Sequence, residues 1–343
     1  MLKNKTTLRE IANRAGLSII TVSRALNNHP RVRKGTRDLV LKIANEMGYT
    51  PNFNARALAS GSSNTFGVII PDNANPFFAK VVRGIEETAR RKGYMVILCN
   101  TNEDKEQEKV ALEMLRQKRI DGLLVTPSQF TSTHLELIQE QRIPFVLLNR
   151  YIPGFDSDCV VNDNYQGAFD ATSYLCNLGH SRIVHITGSE AISSVRERLN
   201  GYREALEVFG IVYDPNLIVR TDLKLESSYK KILRILSKST ELPTAIFAYS
   251  DFLAFGALKA LREVNLRVPD DVSLVGYDNI DYSSYVCPSL TTVSQAAYEI
   301  GSEGVNLLIE RLSNDPEETY WIPRRIVYTP QLTIRESCKA INK

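Results

Sequence analysis

The 343-residue chain is 43% hydrophobic with a net charge of +3, enough apolar content for sizeable cores in two or three domains, so disorder is not its default. Its five cysteines (Cys99, Cys159, Cys176, Cys287, Cys338) are odd in number, far apart and form no CxxC, which argues against a disulfide framework or a cysteine zinc site and for a reducing, cytoplasmic setting. The opening "MLKNKTTLREIANRAG" has no apolar segment before a small-residue cleavage site, and no uninterrupted apolar run approaches the about 18 residues of a membrane span, so neither export nor membrane insertion is expected.

Charge is unevenly spread. Residues 1–63 hold eleven Lys/Arg against three acids, a formal +8, which leaves −5 for the remainder. A basic head on a mildly acidic body suggests that one end meets a polyanion.

Residues 6–48 read as three short helices. Leu8, Ile11, Ala12 and Ala15 share a face of the first, Gly16 breaks it, and Ser18 caps a second helix that runs to about Leu26. After the polar turn "NNHPRV", a third helix is expected from about Thr36 to Met47, ending at Gly48. Residues 51–63 combine Pro51 with a Gly/Ser/Asn tail, a linker around one short helix, "PNFNARALASG". That helix is barely two turns long, and isolated helices below about 12 to 15 residues are marginal in water.

From Phe66 the pattern alternates between apolar runs and longer amphipathic stretches. "FGVII", "MVILC", "DGLLV" and "FVLLN" lack period-2 alternation, as expected of central parallel strands covered on both faces. Helices are expected at about 76–93, 104–118 and 132–142. A second series has strands near "RIVHIT", "LIV", "AIFAY" and "SLVGY" and helices near 164–179, 196–210, 225–238 and 251–265. The predicted fold class is α/β: a three-helix head and a linker with one short helix, then two doubly wound α/β lobes. The expected domains are 1–50, 51–63 and 64–343, with one lobe from about 64–162 plus 293–325 and the other from about 163–292 plus 326–343.

The segment "TLREIANRAGLSIITVSRALNN" has the form helix, glycine turn, capped helix, a helix-turn-helix that would present its second helix to a major groove. Val22 and Leu26 face inward, leaving Ile19, Ile20, Ser23 and Arg24 outward. Arg24 can bind guanine O6/N7 bidentately and an isoleucine can contact a thymine methyl. Thr7, Ser18, Thr21, Asn27, His29 and Arg31 suit phosphate oxygens, which position the helix without specifying sequence.

Ligands of open α/β sheets bind beyond the carboxyl ends of the strands. Asp72, Asn75, Phe77 and Phe78 follow the first strand, Asn149 and Arg150 follow "FVLL", Arg198 follows "HITG", Ser250 and Asp251 follow "AIFAY", and Asp278 follows "SLVGY". Polar groups with flat aromatic rings suit a polyol, binding hydroxyls in fixed directions and covering the C–H faces of a ring. Each also has a plainer role open to it: Asp72, Ser250 and Asp251 as helix caps, Phe77 as core. No GxGxxG after a strand, GxxxxGK[ST], GxSxG or HExxH occurs, so an enzyme is not expected, and no cofactor or metal is implied. His180 and His185 read as structural.

The helix-turn-helix run, followed by "GYTPNFNARAL", "GVIIPDNANPFFAKVVRGIE", "DGLLV", "NRYIPG", "HITG", "RLNGY" and "VSLVGYDN", resembles the lactose/galactose repressor family of bacterial transcription regulators over nearly the whole chain. "NRYIPGF" looks most like the galactose-repressor branch. The resemblance implies a periplasmic-binding-protein-like body and a homodimer on a palindromic operator. It also implies that 51–61 is a hinge helix formed on DNA, where Ala55, Arg56 and Leu58 meet the minor groove, with Leu58 as the wedge. Asn75, Phe77, Phe78, Asn149, Arg150, Arg198 and Asp278 match the family's sugar-contacting motifs, and Gln295 matches a hinge-side glutamine that contacts sugar in some members. Ser250 departs from the asparagine many sugar-binding members carry. The function implied is a repressor controlled by a small ligand, a sugar by these motifs. The alternatives are a purine or sugar phosphate acting as co-repressor or, in a different class, a cytoplasmic α/β sugar-binding protein or enzyme.

Overall fold

The computed structural model describes residues 6–49, 62–128, 143–238, 241–313 and 322–341. The chain divides into two compact units, Met1–Ser63 and Asn64–Lys343. The hinge residues Ala55, Arg56 and Leu58, and the helix expected at 132–142, lie outside the described residues.

The first unit contains α1 (Leu8–Ala15), α2 (Ile19–Leu26) and α3 (Lys34–Glu46). A capping box starts α1: Glu10 N donates to Thr7 Oγ1 at 3.3 Å and Thr7 N to Glu10 Oε2 at 2.8 Å. Gly16 ends it with φ +66°, a left-handed conformation that glycine adopts without penalty. Ser18 Oγ accepts from Thr21 N at 3.1 Å and starts α2. The three helices bury Ile11, Ala12, Val22, Ala25, Val40, Ile43 and Ala44. Helix α3 begins two residues earlier than expected, because its N-cap, Arg33, makes no side-chain cap that could mark the start.

In the second unit β1 (Thr65–Ile70), β2 (Met95–Asn100), β3 (Gly122–Val125), β4 (Phe145–Leu148), β5 (Cys159–Asn162) and β11 (Arg325–Tyr328) form one sheet in the order β11-β5-β4-β3-β1-β2. The other sheet has the order β12-β10-β9-β8-β6-β7, from β6 (Ile183–Thr187), β7 (Ile218–Arg220), β8 (Ala245–Ala248), β9 (Ser273–Asp278), β10 (Thr291–Ser294) and β12 (Gln331–Thr333). All pairings are parallel except β10 with β12.

Helices α4 (Pro76–Arg91), α5 (Lys105–Gln117) and α10 (Ala297–Ser313) cover the first sheet; α6 (Asn164–Asn177), α7 (Ser193–Val208), α8 (Leu225–Lys238) and α9 (Asp251–Glu263) cover the second. Close crossings are possible because glycines remove side chains where helix backbones meet. A Cβ at Gly84 would lie 2.1 Å from Tyr298 O, and one at Gly301 would lie 2.1 Å from Val81 O, so α4 and α10 approach through a glycine on each. No helix among the described residues is long and apolar enough to cross a membrane.

Three expectations need correction. "MVILC" is β2, at the edge of its sheet, with Met95 64% exposed, so it is not a strand covered on both faces. The chain also changes lobes at slightly different points than expected: β10 lies wholly in the second sheet and β11 in the first, so the last change follows residue 328, not 325. Helix α7 starts at Ser193, three residues before the expected 196, again behind an N-cap, Ile192, without a side-chain cap.

Candidate functional site

The outer face of α2 carries the expected groove-reading residues. Ile19 and Ile20 are 42% and 63% exposed, an unusual pair on a helix of a basic head, and Arg24 is exposed beside them. Asn27 and Arg31 are exposed, while Thr21, Ser23 and His29 are half-buried. Thr7 and Ser18 spend their hydroxyls as caps of α1 and α2, and this places them at helix N-termini, where backbone N–H groups favour anions. His29 Nδ1 accepts from Arg31 N at 3.2 Å, and His29 O accepts from Arg37 Nη2, which fixes the turn after α2.

In the second unit a cleft with a cavity volume of about 130 Å³, open to solvent, lies between the carboxyl ends of the two sheets. Of the residues expected there, Asp72, Asn75, Phe77, Phe78, Asn149, Arg150, Arg198, Ser250 and Asp278 line it. Asn75 and Ser250 double as N-caps of α4 and α9, accepting from Phe77 N and Leu253 N. Phe77 and Phe78 meet edge to face, with centroids 5.2 Å apart, and belong also to the core of the first lobe.

The backbone at the two polar crests is unusual in the same way. Asn149, just past β4, has φ +60°, and Asp278, at the end of β9, has φ +123°. Non-glycine residues in such conformations are held there by their surroundings and cluster at binding sites. Asn149 Oδ1 and Arg150 Nε are buried and find no partner among the described residues. An acceptor and a donor left in this state at the cleft suit ligand hydroxyl groups.

Arg198 is 1% exposed and lies between two rings, its guanidinium carbon 3.5 Å from the Tyr277 centroid and 4.3 Å from that of Tyr249. It donates through Nε to Asn164 Oδ1 at 2.9 Å and through Nη1 to Tyr249 O at 2.5 Å, and Asp278 Oδ1 is 3.9 Å away. Burial pushes the Asp278 carboxyl well above the usual carboxylate range, and Arg198 pulls it back. Arg150 forms a two-point pair with Glu103. Burial disfavours its charge, but Glu103 more than compensates and raises its pKa. The lobes also touch beside the cleft, where Tyr151 N donates to Ser193 Oγ at 3.0 Å and Tyr151 OH to Glu197 at 2.8 Å.

Two expected residues stay off the lining. Asp251 is fully buried one residue beyond Ser250, where it accepts from Ile280 N and the hydroxyls of Ser283 and Thr292. Burial raises its carboxyl to about 6 against those hydrogen bonds. Gln295 lies behind Asp278, donating to its Oδ1 at 2.5 Å and accepting from Asn162 at the start of the first change of lobe, so it positions Asp278. Conversely, Asn102, Glu103, Asp222, Leu223, Lys224 and Tyr249 line the cleft without having been anticipated. The rule that found the others would have found them, since they follow β2, β7 and β8. His180 and His185 bond the carbonyls of Lys339 and Phe247, and His185 is stacked between Tyr202 and Phe247.

Comparison with known proteins places both units. Residues 7–52 match the family model "Bacterial regulatory proteins, lacI family", and residues 63–329 match "Periplasmic binding proteins and sugar binding domain of LacI family". The chain is 36% identical to the HTH-type transcriptional repressor PurR of Haemophilus influenzae, over 98% of this chain and 99% of the relative. Among solved structures, the lac repressor dimer bound to operator and the anti-inducer ONPF superposes with a TM-score of 0.86 at 26% identity, covering 98% of this chain and 100% of that one. The transcriptional regulator CelR–cellobiose complex superposes with a TM-score of 0.73 at 30% identity, covering 97% and 100%. The chain belongs to the LacI family of bacterial regulatory proteins and is a DNA-binding transcriptional repressor, not an enzyme.

Proposed function

We propose that this repressor binds a palindromic operator as a homodimer and that a sugar in the cleft sets its affinity for DNA. The observation that carries the ligand class is the cleft wall: unpartnered Asn149 Oδ1 and Arg150 Nε, the Arg198–Asp278 pair, and the flat faces of Phe77 and Phe78. The CelR complex, a relative holding cellobiose, supports the same class. The dimer reading draws on the lac repressor dimer and on apolar side chains that need cover: Met95, Ile97 and Leu98 on β2, with Val110 and Met114 on α5.

The mechanism is a linkage. A ligand on Asp278 acts through Gln295 on Asn162, where the chain passes between lobes, and so biases the lobe angle. It shifts the DNA-competent population only by its differential affinity for the two states, and coupling of about 1–3 kcal/mol gives a 5- to 150-fold change. Leu58, at the short hinge helix, would convert the change into operator affinity by wedging the minor groove. The test is a gel-shift titration after a thermal-shift screen of monosaccharides, disaccharides, sugar phosphates and purines. Asp278→Ala should bind operator normally but not respond to the stabilising sugar, whereas Leu58→Gly should bind the sugar normally and lose operator specificity. A normal sugar response in Asp278→Ala would show that the cleft is not the effector site.

A further inference from the structure

Both buried guanidinium groups of the cleft already face carboxylates. Arg198 faces Asp278, and Arg150, whose side chain is 3% exposed, is gripped in fork-to-fork fashion by Glu103, with Nη1–Oε2 2.8 Å and Nη2–Oε1 2.7 Å. Arg150 Nη1 also donates to Pro127 O at 3.1 Å, which leaves Nε as the donor without a partner among the described residues. The other cation of the lining, Lys224, stands exposed at the rim beside Asp222.

Glu103 is held in place by its loop. It follows Asn102 in a turn where both residues have positive φ, +53° and +60°. Asn100 Nδ2 donates to Asn102 Oδ1 at 2.6 Å, and Asp104 immediately afterwards caps α5. Such a turn is uncommon for residues with side chains and persists where neighbours enforce it. It sets the Glu103 carboxylate on the same fork that a phosphate or carboxylate ligand would need for two-point recognition.

We propose that Glu103 is the charge filter of the cleft: by occupying the Arg150 fork it restricts the effector to uncharged polyhydroxy compounds and shuts out their phosphorylated forms. A phosphorylated sugar entering here would have to displace Glu103 and would still lie against its negative charge, whereas a hydroxyl oxygen needs only the single Arg150 Nε donor and the Asn149 acceptor. The proposal rests on the reading of the cleft as an effector site.

The test compares full-length wild type, Glu103→Gln and Glu103→Ala by thermal shift and calorimetric titration. The probes are ribose, glucose and cellobiose, then ribose 5-phosphate, glucose 6-phosphate and inorganic phosphate. The basic head is common to all three proteins, so the difference between them reports the cleft. Wild type should gain no stability from either sugar phosphate, and both variants should bind at least one of the phosphorylated probes with an affinity raised about tenfold or more. The proposal is overturned if wild type binds a sugar phosphate as tightly as the parent sugar, or if neither variant gains anion binding. A neutral sugar bound by wild type with no such gain in the variants sinks the filter alone. Gain of anion binding in the variants with no neutral sugar bound by any protein sinks the sugar reading and leaves the filter standing.

Discussion

Arg198 and Asp278 should be energetically coupled, and a double-mutant cycle on the full-length protein measures by how much. Their closest charged atoms are 3.9 Å apart and both side chains are almost completely buried. At an effective dielectric constant of about 20, that separation corresponds to an attraction of about 4 kcal/mol. Arg198→Met also removes the hydrogen bonds to Asn164 and Tyr249 and leaves Asp278 buried with Gln295 as its remaining hydrogen-bond partner among the described residues, so this single change should cost about 3–5 kcal/mol. Asp278→Asn keeps the amide contact with Gln295 available but leaves the Arg198 charge without its carboxylate. With both charges removed, the cost should be smaller than the sum of the single costs by about 2–4 kcal/mol. Urea unfolding followed by far-UV circular dichroism reads the three variants, provided the slope with denaturant is unchanged. Because burial already lifts the Asp278 carboxyl, lowering the pH should protonate it and shrink the coupling. Costs that add to within about 0.5 kcal/mol at neutral pH would refute the pairing as an energetic unit.

Three further changes probe other parts of the structure. Gly84→Ala gains helix propensity of about 1 kcal/mol but drives a methyl against the backbone oxygen of Tyr298, so a net loss of about 1–3 kcal/mol is expected; an unchanged or raised melting temperature would contradict the close crossing of α4 and α10. Asp251 holds its proton more tightly folded than unfolded, so its contribution to stability is fully present below about pH 4 and lost as pH rises through about 6. The urea midpoint of wild type should therefore fall relative to Asp251→Asn across that window, and parallel profiles would show that the carboxyl does not titrate there. Arg24→Ala should relax base preference at one half-site position at a cost of about 1–3 kcal/mol, measured by binding to operators substituted one pair at a time. Equal loss on operator and random duplex would assign Arg24 to the phosphates instead.

How far the sequence could be read depended on whether the signal was local. The helix-turn-helix was legible because its apolar face, glycine stop and serine cap sit within a dozen or so residues of each other, and the outward isoleucines follow from helical phase alone. The cleft was legible to the extent that a sheet brings the carboxyl ends of its strands together, which found Asp72, Asn149, Arg150 and Asp278 without contact information. Within one turn that rule loses resolution. Ser250 and Asp251 are adjacent in sequence, but a helix rotates about 100° per residue, so one lines the cleft and the other points at Ser283 and Thr292. Gly276 makes room for that inward carboxylate, since a Cβ there would lie 2.2 Å from Asp251 Oδ1, and nothing in "SLVGYD" announces why the glycine is needed.

The apolar run "MVILC" shows a different limit. Its composition says that these side chains want cover, and the structure puts them on an edge strand with Met95, Ile97 and Leu98 exposed, so composition reported the need for burial without saying which chain supplies it. The same strand leads directly into Asn102 and Glu103, the cleft residues whose left-handed backbone no sequence pattern marked. An edge strand that a second copy would cover therefore ends at the carboxylate that grips Arg150. Packing against β2 and the Glu103–Arg150 pair therefore depend on one short piece of backbone, residues 95–103.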